Sequence, residues 1–187
     1  MTDLIALWHA EHANFSRLLD LLNEQITAFH EGERPAYEIM LDIVSYLRES
    51  PDRFHHPRED VMLAQLALRD PSMAIPINRL LQEHRVIAVA GEELRSRLED
   101  IVAGNVVPRS SLEAAAAVYL AYYRHHLATQ EREVLPHAAR HLTAQDWVTI
   151  GNAVSLGPDP LFGAAPEERY RELRNMLDGR ADVPARR

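Results

Sequence analysis

Two imidazoles and two carboxylates fall within one short stretch, Phe54-His55-His56-Pro57-Arg58-Glu59-Asp60. His55 and Glu59 are four residues apart, as are His56 and Asp60, so on a helix either pair can aim at one point. Imidazole nitrogen and carboxylate oxygen together form the donor set that suits iron, manganese or zinc. A single His-x-x-x-Glu pair on a solvated helix face is common, so its meaning depends on what the other elements bring to the same depth. The chain has ten His and no Cys, which excludes disulfides, thiolate metal sites and iron–sulfur ligation.

The elements that must position these groups are helices. Leu, Ala, Glu and Arg are abundant and Gly is sparse, a balance that favours helix over sheet. Thr2 and Asp3 can cap a first helix whose apolar seam runs Ile5, Trp8, Phe15, Leu19, Leu22, Ile26, Phe29 and passes through His12. A second helix carries Tyr37, Met40, Ile43, Val44 and Leu47, is interrupted at Ser50-Pro51-Asp52, and resumes through His55 and Glu59 to Leu68. Pro51 and Pro57 should kink or unwind it, and Pro136 should tighten the end of the fourth. The third helix, from Ser72 or Pro76 to about Ala103, has the most regular seam: Ile77, Leu80, His84, Ile87, Gly91, Leu94, Leu98, Ile101. Gly91 leaves a gap there for a neighbouring helix or a small ligand. The fourth opens at Pro108 and reads Leu112, Ala116, Tyr119, Tyr123, His126, Gln130, then Val134 or Glu133, then His137. Thr143 to Asp146 is a variant capping box for a short helix ending near Ser155, Pro166-Glu167-Glu168 opens another reaching about Leu177, and Arg180 to Arg187 reads as a frayed tail. The predicted architecture is all-α: an up-down-up-down four-helix bundle over residues 1–142, then two short additional helices and a tail over 143–187.

Each long helix thus places a His on or near its inward seam: His12, His55, His84 and His126. His12 and His84 lie early in their helices, His55 and His126 late, so an antiparallel bundle brings all four to one level. A lone buried His is usually a satisfied core residue. Four at one level, with Glu59 among them, leave lone pairs unpaired unless a metal or a hydrogen-bond network uses them.

This set resembles the hemerythrin-like, His-His-Glu cation-binding family. The matching stretches are Glu11-His12, His55-His56-Pro57-Arg58-Glu59, Glu83-His84-Arg85 and His125-His126-Leu127, with Glu131-Arg132-Glu133-Val134-Leu135-Pro136 similar to the acidic Leu-Pro end of the fourth helix. The resemblance spans about Met1 to Ala139 and implies two non-haem iron ions, oxo- or hydroxo-bridged, with other divalent metals compatible. It implies His12, His55, Glu59, His84, His126 and Glu131 as ligands, with Glu59 and Glu131 shared between the ions. One departure is Gln130, which stands four residues after His126 where the family pattern has Glu; Glu131, five residues on, is the carboxylate expected in its place. Ala88 follows His84 where oxygen carriers have a second His, leaving water, His9 or Glu83 to substitute. His9, His56, Asp60, His125, Gln130 and Tyr123 are the expected supporting or alternative groups. Tyr123 and Trp8 read first as core, and His30, His137 and His141 as surface residues.

Function classes narrow accordingly. A net charge of −8 argues against nucleic acid or an anionic membrane as partner, and no apolar run is long enough to span a bilayer. No export signal is visible, so a soluble cytoplasmic protein is expected, with homo-oligomerisation left open. The resemblance implies dioxygen or nitric oxide as the small ligand, or iron handling, favouring a binding or sensing protein over an enzyme. The alternatives are a di-iron repair or oxidase-type enzyme in oxidative or nitrosative stress, and a metal-stabilised regulatory interaction module.

Overall fold

Asp3 starts the first helix, its side chain accepting the N–H groups of Ile5 and Ala6 at 3.1 Å, and α1 runs Leu4–His30. The computed structural model describes residues 3–154 and 157–181. Thr2, the expected helix end at Ser155 and the tail beyond residue 181 lie outside the described residues. Within them the chain is helical with no strand, and no helix is long and apolar enough to cross a membrane. After α1 come α2 (Tyr37–Ser50), α3 (His56–Arg69), α4 (Ala74–Val102), α5 (Arg109–Thr129), α6 (Leu135–His141), α7 (Ala144–Ala153) and α8 (Arg171–Ala181). Gly32 and Gly104 follow α1 and α4 with φ of 85° and 84°, a left-handed conformation that ends a helix with little cost for Gly.

The breaks between α2 and α3 and between α5 and α6 are π-helical turns, Pro51–His55 and Gln130–Val134. Each ends two residues before a proline, Pro57 or Pro136. Proline has no N–H for the carbonyl four residues back, and its ring crowds that carbonyl. The residue before each proline therefore donates five residues back: His56 to the Pro51 carbonyl, and Leu135 to the Gln130 carbonyl. Pro136 thus widens the fourth helix where tightening was expected. A wider turn spreads side chains over a larger circumference, so neighbours such as His55 and His56 diverge less and both are buried.

α1 packs on α2 and α5, and α4 packs on the same two helices. Their inward faces form two apolar clusters. One includes Phe15, Leu19, Met40, Leu47, Ile87, Leu94, Tyr119 and Tyr123. The other includes Trp8, Met62, Leu66, Ile77, Leu80, Val134 and Leu135. Between them, on every long helical element, lies a polar residue: His12 between Trp8 and Phe15, His55 and Glu59 between Leu47 and Met62, His84 between Leu80 and Ile87, His126 between Tyr123 and Val134. The buried polar layer is a seam between two cores.

Residues after 142 pack into both clusters. α7 lies against α3, with Ile150 in the second cluster and Trp147 6.3 Å from Trp8 between ring centroids. Leu173 and Leu177 of α8 join the first. The capping box at Thr143 and Asp146 is present. The last helix starts later than the Pro166 signal, with a 3-10 turn at Glu168–Tyr170 preceding it. The room left by Gly91 is taken by neighbouring helices and not by a small ligand: a Cβ there would sit 2.6 Å from Arg48 Cδ of α2 and 2.9 Å from a Tyr119 ring carbon of α5.

Candidate metal centre

Glu59 is fully buried, and its two carboxylate oxygens face different histidine pairs. Oε1 lies 3.3 Å from His12 Nε2 and 3.0 Å from His55 Nε2. Oε2 lies 3.4 Å from His84 Nε2 and 3.8 Å from His126 Nε2, with no hydrogen-bond partner. Two donor groups result, His12–His55–Glu59 and His56–Glu59–His84–His126, each with its ligand atoms within 4.8 Å of one another and Glu59 common to both.

The opposite ring nitrogens face carboxylates. His12 Nδ1 is 2.6 Å from Glu131, His55 Nδ1 2.6 Å from Glu11, His56 Nδ1 3.0 Å from Asp52, and His84 Nδ1 3.1 Å from Asp60. His126 Nδ1 faces Glu83 at 3.6 Å, beyond a hydrogen bond. A neutral imidazole that donates from Nδ1 carries a lone pair on Nε2. The partners assign that tautomer to neutral His12, His55, His56 and His84, so the Nε2 atoms of His12 and His55 meet lone pair to lone pair at 3.2 Å. His84 Nε2 lies 3.3 Å from Nε2 of His126, whose own Nδ1 has no hydrogen-bond partner. Such contacts repel unless a proton or a metal cation lies between them. Together with the orphaned Glu59 Oε2, this geometry fits a site for metal cations.

Protonation tells the same story. Burial, the largest influence on His12, opposes its charged form, yet the hydrogen bonds to Glu131 and Glu59 prevail and raise its pKa to about 9. His84 is likewise disfavoured by burial but raised to about 9 by Asp60 and Glu59. Burial dominates at His56 and lowers it to about 4, leaving a neutral ring. Burial also works against the Glu59 carboxylate, but the surrounding imidazoles hold it well below the usual range. The apo cluster thus favours protons where a divalent cation would otherwise supply positive charge.

Glu131 stands elsewhere than the shared position expected of it. Its two oxygens accept from His12 and His9, each at 2.6 Å, and it is a third exposed. Gln130 is the fully buried residue, its amide 3.2 Å from His126 Nε2 and its Oε1 without a partner. His9 is half-exposed. His56, expected as a supporting or alternative group, is buried and stacked on His84 with ring centroids 4.4 Å apart. His125 is exposed and pairs with Glu83 at 3.0 Å. Tyr123 is buried 6.3 Å from the Phe15 ring, its hydroxyl unpartnered.

Sequence reasoning missed Glu11 and Asp52 as supports. Glu11 precedes His12 in the chain yet serves His55, held by the buried Arg58 at 2.8 Å; Glu83 precedes His84 yet faces His126. An acid next to each His was visible, but which ring it serves is a cross-helix property. A cleft of about 460 Å³ lined by His9, His12, Ser16, Arg124 and Glu131 reaches the cluster from one side, and a smaller one of about 230 Å³ reaches His56 and His84.

A helical fold with a buried histidine layer around one carboxylate defines a cation-binding helical protein. The chain belongs to the hemerythrin HHE cation-binding domain family, whose model matches residues 3–138. Among curated proteins and among solved structures, no match was found.

Proposed function

We propose that this protein holds two iron ions, bridged by Glu59, and binds or senses dioxygen or nitric oxide. The observation that carries this reading is the division of the Glu59 oxygens between two imidazole pairs. His12 and His55 are the ligands on the Oε1 side; His84 and His126 are those on the Oε2 side, with His56 or the Gln130 amide completing the set. The four helical elements that bring them together run up-down-up-down. That direction is supported by the order in which each crosses the apolar clusters: α1 and α4 pass from Trp8 and Leu80 to Phe15 and Ile87, the other two the reverse way.

The chemistry that a ferrous pair supplies when bound is reversible capture of a diatomic gas at a position the protein donors leave free. The chain itself fixes the donors and the surroundings. Glu131, Glu11, Asp52 and Asp60 hold the Nδ1 protons, which sets each tautomer and makes Nε2 a stronger donor. Trp8, Phe15, Leu80, Ile87 and Tyr123, all buried, close the layer toward the two apolar clusters, while the clefts at His12 and at His56 and His84 reach it from the sides. With these four carboxylates committed to imidazole N–H groups, the surroundings favour retention of a ligand over turnover.

The test is metal content and optical response of anaerobically purified protein. About two irons per chain, with a visible band that appears with oxygen and disappears on its removal, support the reading. Iron content unchanged in His12→Ala/His84→Ala would overturn the site, and steady consumption of a reductant with oxygen would replace the binding role by an enzymatic one.

A further inference from the structure

A second group of ligating side chains lies outside the Glu59 centre: Asp70, His137 and His141. Asp70 ends α3, and its Oδ1 accepts from the Ser72 N–H at 3.1 Å and the Ser72 hydroxyl at 2.6 Å, starting the turn into α4. That leaves Oδ2 directed at α6, 3.0 Å from His137 Nδ1 and 3.8 Å from His141 Nε2. His137 and His141 are one helical turn apart, with ring centroids 5.6 Å apart and planes inclined by 9°. All three donor atoms lie within 4.8 Å of one another.

A hydrogen bond explains the His137 contact but not His141, whose nitrogen is aimed at the same oxygen from beyond hydrogen-bonding distance. Tetrahedral zinc with bonds of about 2.0–2.1 Å sets its ligands about 3.3–3.4 Å apart, and 3.0 and 3.8 Å bracket that spacing. Two imidazoles with one carboxylate favour a borderline transition cation over calcium or magnesium, which prefer oxygen. Ser72 already orients the carboxylate, and the imidazoles are one-third to two-fifths exposed, which leaves a side open for water as a fourth ligand.

We propose that Asp70, His137 and His141 form a divalent-cation site of the zinc class that clamps the end of α3 to α6, independent of the Glu59 centre. The chain then has a peripheral metal position built on two histidines that the iron-type centre does not use. The clamp sits at the corner where Arg69 already pairs with Asp146 of α7 at 3.0 Å.

The full chain, stripped of metal and equilibrated with zinc, decides it. His141→Ala and Asp70→Asn should each bind one zinc ion per chain fewer than the unsubstituted protein, with helix content by circular dichroism unchanged; the Asn amide oxygen keeps the Ser72 cap. In the unsubstituted chain, long-range proton–nitrogen imidazole spectra should show both His137 and His141 shifted by zinc, a readout that stands even if a variant misfolds. The same zinc stoichiometry in His141→Ala, or imidazole shifts confined to residues around Glu59, overturns the proposal.

Discussion

Glu131 Oε1 lies 2.6 Å from His12 Nδ1, on the side of the ring away from Glu59. The ring therefore connects a carboxylate at the cleft to a carboxylate in the core. In such an arrangement the outer acid orients the ring and raises its basicity, while the inner donors carry the cation. Glu131→Gln should retain both metal equivalents but bind at least one of them about 10–100-fold more weakly. Glu59→Gln should lose binding of both together, because each cation would lose an anionic oxygen. Iron titration of the two variants, followed by chelator competition, separates the roles. Loss of a full equivalent in Glu131→Gln would make Glu131 a direct ligand.

Gln130 offers the reciprocal experiment. Its amide is buried against His126 Nε2 with Oε1 unpaired, so a carboxylate of the same length would reach the same point. Gln130→Glu should lower the melting temperature of the metal-free protein, since it adds a further buried carboxylate beside Glu59 and Glu83. With metal bound the order should reverse, and iron release to a chelator should slow on the order of tenfold, equivalent to about 1.4 kcal/mol. Calorimetry with and without ferrous or manganous ion checks both signs. Destabilisation that persists in the loaded protein would sink the idea that this position faces a cation.

The seams made much of this legible before any coordinates. His12, His55, Glu59, His84 and His126 fall on three-and-four spacings, and helical periodicity alone brings them to a common layer. What the spacing could not carry was the π turns. Each depends on a proline two residues beyond it, and at the first His56 joins His55 inside. Gln130, by contrast, is buried where its four-residue step from His126 puts it; it was the expectation of a carboxylate there that pointed to Glu131, which turns to His9 and His12. The Nδ1 partners were equally hidden, because Glu11 and Glu83 serve rings on other helices than those of their chain neighbours. At Gly91 the seam marked a close approach but left open whether a helix or a small ligand makes it; long side chains from α2 and α5, invisible in a one-helix pattern, do.

That close approach gives a stability prediction. A methyl group at Gly91 would meet Arg48 Cδ at 2.6 Å and the Tyr119 ring at 2.9 Å. Arg48 can swing aside only by disturbing its pairs with Asp52 and Glu92, and the Tyr119 ring is fully buried in the core. Helix propensity would favour Ala over Gly by about 1 kcal/mol, but overpacking of this kind costs about 1–3 kcal/mol. Gly91→Ala should therefore be neutral to destabilising by about 2 kcal/mol, read from the urea midpoint. A clear gain in stability would show that the α2–α4 contact yields easily. Because Asp52 also holds His56, the variant should bind metal more weakly as well.

Acid sensitivity is expected at the α3–α7 corner. Asp146 receives Arg69 Nε and Nη2, each at 3.0 Å, together with the Thr143 N–H at 2.8 Å and the Thr143 hydroxyl at 2.7 Å. Arg69 first, then Thr143, hold its carboxyl down to about 2, against an ordinary 3.8. A carboxyl lowered in the folded state contributes stability that is fully present above its unfolded value and is lost as pH falls toward the folded one. The relevant window is thus from about pH 4 down to about pH 2. Asp146→Asn removes this contribution while leaving every other carboxylate in place. The stability difference between the two proteins should be widest near neutrality and shrink through that window, measured as urea midpoints at a series of pH values. A difference that stays constant into acid would mean that the ion pair and capping box add nothing that depends on the charge of Asp146.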